Sequence, residues 1–464
     1  MSVYSGSRVL VAGAGVTGAA VAEALLAAGA VVTVTDAVAE RLGGFPVGVA
    51  TVPGLTEPPP GTDLVVTSPG IPPHNPLLVA AAAAGIEVIG EVELAWRFAA
   101  ADDVPRTWLA VTGTDGKTTT VGMLEAILHA AGVDAVACGN IGLPVVSAVR
   151  AGHPVLAVEL SSYQLHWQSS LRADAAVVLN VADDHLDWHG DAEHYVAAKG
   201  RIYAGARLAV FNADDPVSTR LAAPARHKVG FTLSEPAPGQ YGVAGDWLVH
   251  GDLRLLPAAE VRPAGPHNVA NALAAAALAR AAGVSPEHVR AGLAAFAPPA
   301  HRVELVAQAA GVRWVNDSKA TNTHAALGSL GAFDPVVWIA GGLLHGAPVD
   351  ALVAEVAPRL RGVVLLGTDQ EPFVAALARH APDVPVHRVP ARDDEPMISA
   401  VRAAGAMAGE GDVVLLAPAA KSHDQFASYA HRGTAFTEAV RAAVGAEPGA
   451  GAETRTGAEP GRGG

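Results

Sequence analysis

The hydrophobic positions of this chain fall into short apolar runs, most of them followed by a longer stretch with helical periodicity. Near the start, RVLVA, VVTVT and DLVVT predict β-strands, and VTGAAVAEALLAAG between the first two predicts a helix. Two strands joined by a helix lie parallel in one sheet, with a right-handed connection. The pattern therefore predicts a first α/β domain over residues 1–96.

The same alternation occurs twice more along the chain. The second group has strands at TWLAVTG, PVLAVEL, AAVVLNV and RLAVFN, and the third has them at VRWVND, PVVWIAGG, GVVLLG and DVVLLAP. Short apolar strands alternating with helices are typical of mostly parallel sheets covered by helices on both faces. The predicted fold class is therefore α/β, with three consecutive α/β domains at residues 1–96, 97–299 and 300–445.

Two segments have compositions typical of connections rather than of packed elements. FAPPAHR, residues 296–302, contains two adjacent prolines, which predicts a linker and a hinge for the third domain. Residues 446–464 are rich in Gly, Ala, Glu and Pro and cannot bury a core, so a disordered tail is predicted.

The net charge and the cysteine content argue against several classes of protein. A formal net charge of −14 argues against a nucleic-acid or membrane-surface partner, because either requires a basic field. The single cysteine, Cys138, excludes a disulfide within the chain and is expected to be a small core residue. The start, MSVYSGSRVL, lacks the features of a signal peptide, and no apolar run is long enough to span a bilayer. A cytoplasmic monomer is expected.

The sequence GAGVTG, residues 13–18, follows the first predicted strand and opens the first helix. In this context Gly13 allows a tight turn, Gly15 allows close approach of a diphosphate, and Gly18 allows the helix to pack closely on the strand. Asp36 ends the next strand, where an acidic residue meets a ribose or a base. The loop indicates an anionic nucleotide, although a tight turn without a ligand fits the same residues.

A second glycine loop, GTDGKTTT at residues 113–120, also lies between a strand and a helix. Backbone N–H groups at such a helix start face a phosphate, Lys117 can neutralise the β- and γ-phosphates, and the Thr118 hydroxyl can bind Mg²⁺. Only two residues separate Gly113 from Gly116, whereas the common P-loop has four. Two phosphate-binding loops disfavour a simple dehydrogenase, which needs one.

Carboxylate and imidazole groups follow the next strands of the second group. Glu159 ends the strand PVLAVE, where a Mg²⁺-binding carboxylate belongs in a P-loop fold. NVADDHLDWHG provides His185 as a candidate ligand of a second metal, among the acidic residues Asp183, Asp184 and Asp187. Solvated loop charges are the competing interpretation. In HYVAAKGRIY, the pattern alone predicts that Lys199 is a surface lysine.

These motifs, followed in order by HNVANALAA and NDSKATNTHAAL, resemble the Mur ligases of peptidoglycan synthesis, over residues from about 8 to 440. The similarity is greatest to the members that add D-glutamate. It implies a Rossmann-like N-terminal domain for a UDP-sugar, a P-loop ATPase-like central domain and a Rossmann-like C-terminal domain for the amino acid. The implied activity is ATP-dependent ligation of D-glutamate to UDP-N-acetylmuramoyl-L-alanine through an acyl phosphate, with ATP and two Mg²⁺ ions.

The resemblance also implies a role for individual residues. Lys117, Glu159, His185 and Lys199 are the implied catalytic residues, with Lys199 carried as a carbamate that binds metal beside His185, and with Thr118 and Glu159 on the other ion. The implied ATP contacts are Gly113, Thr114, Asp115, Gly116, Lys117, Thr118, Thr119, Asn268, Asn271, Arg302 and Asp317. The UDP-substrate contacts are Gly15, Val16, Thr17, Asp36, Ser68, Pro69, Gly70, Asn140 and Ser161. The amino-acid contacts are Lys319, Thr321, His345, Ser422, His423 and Tyr429.

Four positions depart from the pattern of the resembled family. Asp115 stands where many relatives have Asn, and it either adds negative charge beside the phosphates or caps the following helix. His345 stands where Lys is usual, and Lys421 and His423 stand where small or apolar residues are usual. His345, Lys421 and His423 belong to the implied amino-acid site, so these departures bear most directly on the implied specificity for D-glutamate. One hypothesis is that Lys421 replaces the cation missing at His345.

Three alternatives stay open at the level of sequence. The first is a ligase of the same superfamily that takes another acceptor: L-alanine, a diamino acid, a dipeptide or folate-linked glutamate. The second is a nucleotide-dependent oxidoreductase built on GAGVTG, which leaves Lys117, Glu159 and His185 unexplained. The third is a non-catalytic paralogue, for which Asp115 and His345 are the only indications.

Overall fold

The computed structural model describes residues 3–102, 104–182, 184–298 and 300–445. The chain divides into two compact units, Met1–Pro298 and Pro299–Gly464. The predicted tail at 446–464 lies outside the described residues, as do Pro299 of the predicted hinge and Asp183. Within the described ranges, no helix is long and apolar enough to cross a membrane.

The first sheet is entirely parallel, in the order β3-β2-β1-β4-β5. Alternate residues of β1 enter different cores: Val9 and Val11 pack towards α1 and α3, whereas Leu10 packs with Leu77 and Leu78 of α2. Both faces are therefore covered, as predicted. The strands are β1 (Arg8–Ala12), β2 (Val31–Thr35), β3 (Val49–Thr51), β4 (Leu64–Thr67) and β5 (Glu87–Gly90), and the helices are α1 (Val16–Ala27), α2 (Pro76–Ala83) and α3 (Glu91–Ala101).

The second sheet has nine strands in the order β14-β13-β12-β11-β10-β9-β6-β8-β7. Its strands are β6 (Thr107–Thr112), β7 (Ala135–Gly139), β8 (Val155–Glu159), β9 (Ala175–Val178), β10 (Leu208–Asn212), β11 (Lys228–Phe231), β12 (Tyr241–Ala244), β13 (Trp247–His250) and β14 (Leu253–Pro257). Its helices are α4 (Lys117–Ala130), α5 (Val145–Arg150), α6 (Ser162–His166), α7 (Leu186–His189), α8 (Ala192–Gly200), α9 (Pro216–Ala222), α10 (Pro266–Ala281) and α11 (Pro286–Ala295). The strands β12 to β14 are antiparallel to one another, an edge that the sequence pattern did not predict.

The second unit contains a six-stranded sheet in the order β15-β16-β20-β17-β18-β19. Only the β15–β16 pair is antiparallel, and buried residues on the two faces form separate cores. The strands are β15 (Glu304–Ala309), β16 (Val312–Asn316), β17 (Val336–Gly341), β18 (Leu360–Leu366), β19 (Val386–Arg388) and β20 (Val413–Leu416). The helices are α12 (Thr323–Leu330), α13 (Asp350–Val356), α14 (Glu371–His380), α15 (Pro396–Met407) and α16 (Tyr429–Val444).

The predicted α/β class is confirmed by these three parallel-rich sheets. Most of the chemistry-bearing motifs follow the carboxyl end of a strand, which is where open α/β sheets bind ligands. GAGVTG follows β1, GTDGKTTT follows β6, and the segment with Asp317 follows β16. The predicted domain boundaries at 96/97 and 299/300 stay predictions.

Candidate active site

A cavity of about 630 Å³ opens at the GAGVTG loop of the first unit. Gly13 has φ 100°, and a Cβ there would come within 2.3 Å of the Ser68 hydroxyl. A Cβ on Gly18 would come within 1.8 Å of the Gly13 carbonyl oxygen, so the helix packs on the loop as predicted. Gly15 has open space at its Cβ. The cavity lining includes the predicted substrate residues Gly15, Val16, Thr17, Asp36, Ser68, Pro69 and Gly70.

Asp36 forms part of the wall of this cavity and is tied to the loop. Its carboxylate accepts hydrogen bonds from the Ala14 amide at 2.8 Å and from the Val38 amide at 2.9 Å. Partial burial raises the pKa of Asp36, but these hydrogen bonds and nearby Arg41 hold the pKa below its ordinary value. The carboxylate is therefore ionised near neutral pH and fixed in place.

Two lysines meet at one carbonyl oxygen of the second glycine loop. Lys117 Nζ donates to the Gly113 oxygen at 2.9 Å and to the Thr114 oxygen at 2.7 Å. Lys199 Nζ, which comes from α8, donates to the same Gly113 oxygen at 2.7 Å. The structure thus brings together two predicted catalytic residues that are 82 positions apart in the sequence (199 − 117 = 82).

Lys199 is buried, so the surface position that the pattern alone predicts is wrong. Its exposed fraction is 2%, and Nζ lies 4.6 Å from the ring centroid of Tyr195. Burial, reinforced by the charge of Lys117, holds the pKa of Lys199 well below its ordinary value, against the opposing charges of Asp184 and Asp115. Burial of this kind favours the uncharged, nucleophilic form of the amine.

Asn271 of α10 lies directly against the glycine loop. A Cβ on Gly116, where φ is 82°, would come within 2.3 Å of the Asn271 side-chain oxygen. Asn271 in turn donates to the Asn268 oxygen at 3.1 Å, and both side chains are buried. The two asparagines of HNVANALAA thus form one edge of the predicted ATP site. Thr118 and Thr119 lie in the first turn of α4.

The structure excludes one of the two roles considered for Asp115. The N-cap of α4 is Gly116, so Asp115 is not the N-cap residue of that helix, which was one of the two possibilities. Its backbone instead pairs with the Asn180 side chain, through Asn180 Oδ1 at 2.9 Å and Asn180 Nδ2 at 3.2 Å. Asn180 follows β9, so this pair anchors the tip of the loop to the sheet.

Glu159 ends β8 and is 1% exposed. Its Oε1 accepts from Asn140 Nδ2 at 2.8 Å, whereas its Oε2 is buried and has no hydrogen-bond partner among the described residues. An unpaired buried carboxylate oxygen is costly unless a ligand satisfies it. Ser161, two residues further along, is the N-cap of α6 and forms a capping box with Gln164.

His185 lies at the start of α7 with φ 55°, and its side chain is 38% exposed. Its ring centroid is 4.8 Å from that of Tyr163, and its Nε2 is 3.4 Å from Asp184 Oδ2. Among the described residues, no three His, Cys, Asp or Glu side chains form a group that could hold a metal ion. Each implied ligand set contains only one such residue, so metal binding here also requires the hydroxyl, carbamate or substrate oxygens.

The predicted amino-acid residues all belong to the second unit, and one of them, Lys319, contacts Tyr429 at the start of α16. Lys319 Nζ is 4.0 Å from the ring centroid of Tyr429, and Ser422 is buried, whereas His423 is exposed. Asp317, on the same segment as Lys319 and Thr321, accepts hydrogen bonds from the Val303 amide at 3.3 Å and from the Ser329 hydroxyl. Arg302 lies just before β15 in this unit.

Sequence reasoning missed Arg432, the residue that holds these segments together. Arg432 is 1% exposed and donates to the Ser318 hydroxyl at 3.0 Å, the Ser318 carbonyl at 2.9 Å and the Ala420 carbonyl at 3.1 Å. Burial lowers its pKa to about 10, although Asp424 opposes this shift, so the guanidinium stays charged at neutral pH. No motif in the sequence marks this role of Arg432.

His345 and Lys421 lie on adjacent backbone segments. Leu343 and Lys421 pair as an antiparallel bridge, with Leu343 N to Lys421 O at 2.9 Å and Lys421 N to Leu343 O at 3.0 Å. The side chains of His345 and Lys421 are both exposed. Lys421 therefore pairs with a residue two positions before His345, and the hypothesis that Lys421 replaces the missing cation stays a prediction.

Three family models match the chain in succession. They are the MurD-like N-terminal domain of Mur ligases at residues 7–90, the Mur ligase middle domain at 111–279 and the glutamate ligase domain of Mur ligases at 301–420.

Curated relatives match nearly the whole chain. The UDP-N-acetylmuramoylalanine--D-glutamate ligases of Thermobifida fusca and Streptomyces avermitilis are each 52% identical, over 95% of this chain and 99% of each relative. The enzyme of the same name from Mycobacterium avium is 49% identical, over 95% of this chain and 97% of its own length.

Solved structures share the fold at low identity. UDP-N-acetylmuramate-alanine ligase from Thermotoga maritima has a TM-score of 0.59 at 18% identity and covers 94% of this chain and 99% of its own. A pseudomurein peptide ligase type C from Methanothermus fervidus has a TM-score of 0.58 at 18% identity and covers 88% of this chain and 96% of its own.

Proposed function

The chain belongs to the Mur ligase family, and we propose that it joins D-glutamate to UDP-N-acetylmuramoyl-L-alanine in an ATP-dependent reaction of peptidoglycan precursor synthesis. The structural observation that carries the proposal is a pair of glycine loops in one compact unit. One loop opens on a cavity of about 630 Å³, and the other carries Lys117 beside a buried lysine. An oxidoreductase built on the first loop leaves the second loop and its two lysines unexplained.

The chemical problem is to form an amide from a carboxylate, which is a poor electrophile. Transfer of the ATP γ-phosphoryl group to the carboxylate gives an acyl phosphate, the D-glutamate amine attacks its carbonyl carbon, and phosphate leaves. Before transfer, the carboxylate and the γ-phosphate repel each other because both are anionic. Positive charge and oriented N–H groups at the phosphate offset that repulsion.

In this proposal the second glycine loop binds the phosphates of ATP. The amides at the start of α4 point towards the phosphates, and Lys117 exchanges its two loop carbonyls for phosphate oxygens. Asn268 and Asn271 line the nucleotide side of the loop. Arg302 and Asp317 are assigned to the ribose and phosphate from the second unit.

The residues around Glu159 fit a divalent cation, because its buried Oε2 lacks a hydrogen-bond partner among the described residues. We assign Thr118 and Glu159 to one Mg²⁺ ion, and His185 with the carbamate of Lys199 to a second. Mg²⁺ bound there supplies charge stabilisation at the transferring phosphoryl group. Asn140 holds the Glu159 carboxylate in place through its hydrogen bond to Oε1.

The depressed pKa of Lys199 supports its modification by CO₂. An uncharged amine attacks CO₂, a C–N bond forms, and a proton leaves the nitrogen, which gives an anionic carbamate. Burial favours the uncharged amine. A carbon-13 carbamate resonance from the protein in labelled bicarbonate, absent in Lys199→Ala, is the expected spectroscopic result.

On the substrate side, we assign the cavity at GAGVTG to the UDP group. Gly15, Val16 and Thr17 start α1 and present amides to the diphosphate, and Asp36 lies towards the nucleoside. Ser68, Pro69 and Gly70 also line this cavity, and we assign Asn140 and Ser161, which are not among its lining residues, to the sugar. D-Glutamate is assigned to Lys319, Thr321, His345, Ser422, His423 and Tyr429 of the second unit.

A phosphate-release assay tests the proposal directly. The protein is given ATP, Mg²⁺, UDP-N-acetylmuramoyl-L-alanine and a panel of amino acids, and release with D-glutamate alone is expected. Release with a different amino acid would indicate a Mur ligase of another specificity. No release with any amino acid would favour a non-catalytic paralogue. We also infer a cytoplasmic monomer, which light scattering and fractionation of the native cells check.

A further inference from the structure

The first turn of α3 inserts two carboxylates into the body of the second sheet and its helices. Glu91 is 3% exposed, and its Oε1 accepts from the Val146 amide of α5 at 2.6 Å. Glu93 accepts from the Ser169 and Ser170 amides, both at 2.9 Å. Gly90, just before them, donates to the Trp167 carbonyl at 2.9 Å. These contacts join the sheet of the UDP cavity to the sheet of the phosphate loop.

Glu91 differs from Glu93 in the kind of group that contacts its carboxylate. Glu93 has Arg97 as an ionic partner at 2.9 Å, whereas no ion pair to Glu91 occurs among the described residues. Its partners are the first amides of α5, whose N-cap is Pro144 and which therefore has no side-chain cap of its own. Glu91 therefore accepts hydrogen bonds from amides at the start of α5 that no N-cap side chain satisfies.

The segment just before α5 leads directly to Glu159. Leu143 accepts from the Gly139 amide at 2.9 Å, and the Asn140 amide donates to the Glu159 carbonyl at 2.9 Å. A Cβ on Gly139 would come within 2.3 Å of that carbonyl, so the two segments touch. The Asn140 side chain then holds Glu159 Oε1. A continuous series of contacts thus runs from Glu91 through α5 and this loop to the Glu159 carboxylate.

We propose that Glu91 is a positioning residue that fixes the loop of residues 139–144, and through Asn140 the Glu159 carboxylate, to the domain that binds the UDP group. The inference rests on the proposed function for the identity of the metal site. Burial raises the pKa of Glu91 to about 7, so its oxygen acts as a hydrogen-bond acceptor in either protonation state.

Calorimetry with a non-hydrolysable ATP analogue tests the inference without turnover. The dissociation constant is measured with and without Mg²⁺, and binding of UDP is measured separately. Glu91→Ala removes the acceptor and is expected to reduce the Mg²⁺-dependent gain in affinity at least fivefold, with UDP affinity changed less than twofold. Glu91→Gln keeps an acceptor oxygen and is expected to restore the gain to within twofold of the parent protein.

Glu23→Gln is the matched control. Glu23 forms an exposed ion pair with Arg150 at 3.4 Å, between α1 and the same helix α5, so it crosses the same boundary without contacting the amides of Val145 and Val146. Its substitution is expected to leave both affinities unchanged. If Glu91→Ala does not fold, Glu91→Asp, whose carboxylate is one methylene shorter, is expected to show the same selective loss.

Unchanged Mg²⁺-dependent affinity in folded Glu91→Ala or Glu91→Asp would overturn the inference. Equal losses of UDP and Mg²⁺-dependent affinity would also overturn it, because they indicate general destabilisation rather than positioning. The result is separable from the proposed function, since a protein that releases no phosphate with D-glutamate can still show or lack the Mg²⁺-dependent effect.

Discussion

The phosphate loop of the first unit and the loops around α16 in the second unit place their basic side chains in opposite ways. In the first, the side chains expected to meet the ligand are themselves packed: Lys117 and Lys199 share the Gly113 carbonyl, and Lys199 is buried. In the second, His345 and Lys421 are exposed, and the buried cation, Arg432, holds the backbone instead.

The difference indicates which step each region controls. Side chains fixed within a packed core are pre-organised for charge that develops in the transition state, and their loss lowers kcat. Exposed side chains on a fixed backbone contribute to binding of the acceptor, and their loss raises KM. Four substitutions test this division.

The largest effect is expected for Lys117→Met in the first region. Removal of the cation proposed to contact the transferring phosphoryl group should lower kcat for phosphate release by roughly a thousandfold, because that charge helps to offset the repulsion between the carboxylate and the γ-phosphate. Lys228→Met, an exposed lysine on β11 of the same sheet, is the control and should retain full activity. A loss confined to the KM for D-glutamate would contradict the comparison.

The next largest effect is expected for Glu91, a buried carboxyl of the first unit. It is measured as the free energy of unfolding at different pH values. The pKa of Glu91 is about 7 in the folded protein against an ordinary value of 4.5, so the folded state keeps its proton longer as pH rises. The stabilising contribution is full below about pH 4.5 and is lost as pH rises towards 7. Urea unfolding of the parent and Glu91→Gln should therefore diverge by roughly 3 kcal/mol between these limits, to the advantage of the variant at high pH. Parallel stability curves would exclude the raised pKa.

Arg432→Met probes the second region. Loss of three hydrogen bonds leaves the Ser318 and Ala420 carbonyls without that donor, and the segments that carry Lys319 and Ser422 lose their shared anchor. The KM for D-glutamate should rise at least tenfold, while affinity for a non-hydrolysable ATP analogue changes little. Arg432→Lys, which keeps the charge but not the planar fork, should be intermediate. Arg441→Met, an exposed arginine on the same helix, is the control.

The smallest effect is expected for Lys421→Ala, at about fivefold in the KM for D-glutamate with kcat within twofold, as is typical of an exposed charge pair. Adding His345→Lys to that variant should restore the KM, because the backbone bridge places the two positions on adjacent segments. An unchanged KM in Lys421→Ala would rule out the hypothesis that Lys421 replaces the cation missing at His345.

Periodicity found the central parallel strands of all three sheets, because buried strands are continuous apolar runs. It did not find the parallel strands β3, β5, β7, β11 and β19. It missed the antiparallel edge β12 to β14, whose strands are only four or five residues long and partly exposed. The motifs located the glycine loops and Glu159, since the chemistry of a phosphate loop requires particular residues at fixed spacing. Lys199 was recoverable only through family resemblance, because a lone lysine in a helix has no sequence signal of burial.

By itself the sequence determined the α/β class, the two glycine loops and the acidic and basic residues that follow the strands, because each depends on local pattern or spacing. Only the tertiary structure decided that Lys117 and Lys199 share one carbonyl, and that Glu91 and Arg432 act as anchors. It also decided that, within the described part of the chain, Glu159 has a buried oxygen without a hydrogen-bond partner. Those properties depend on desolvation and on contacts between segments far apart in the chain, which no local pattern encodes.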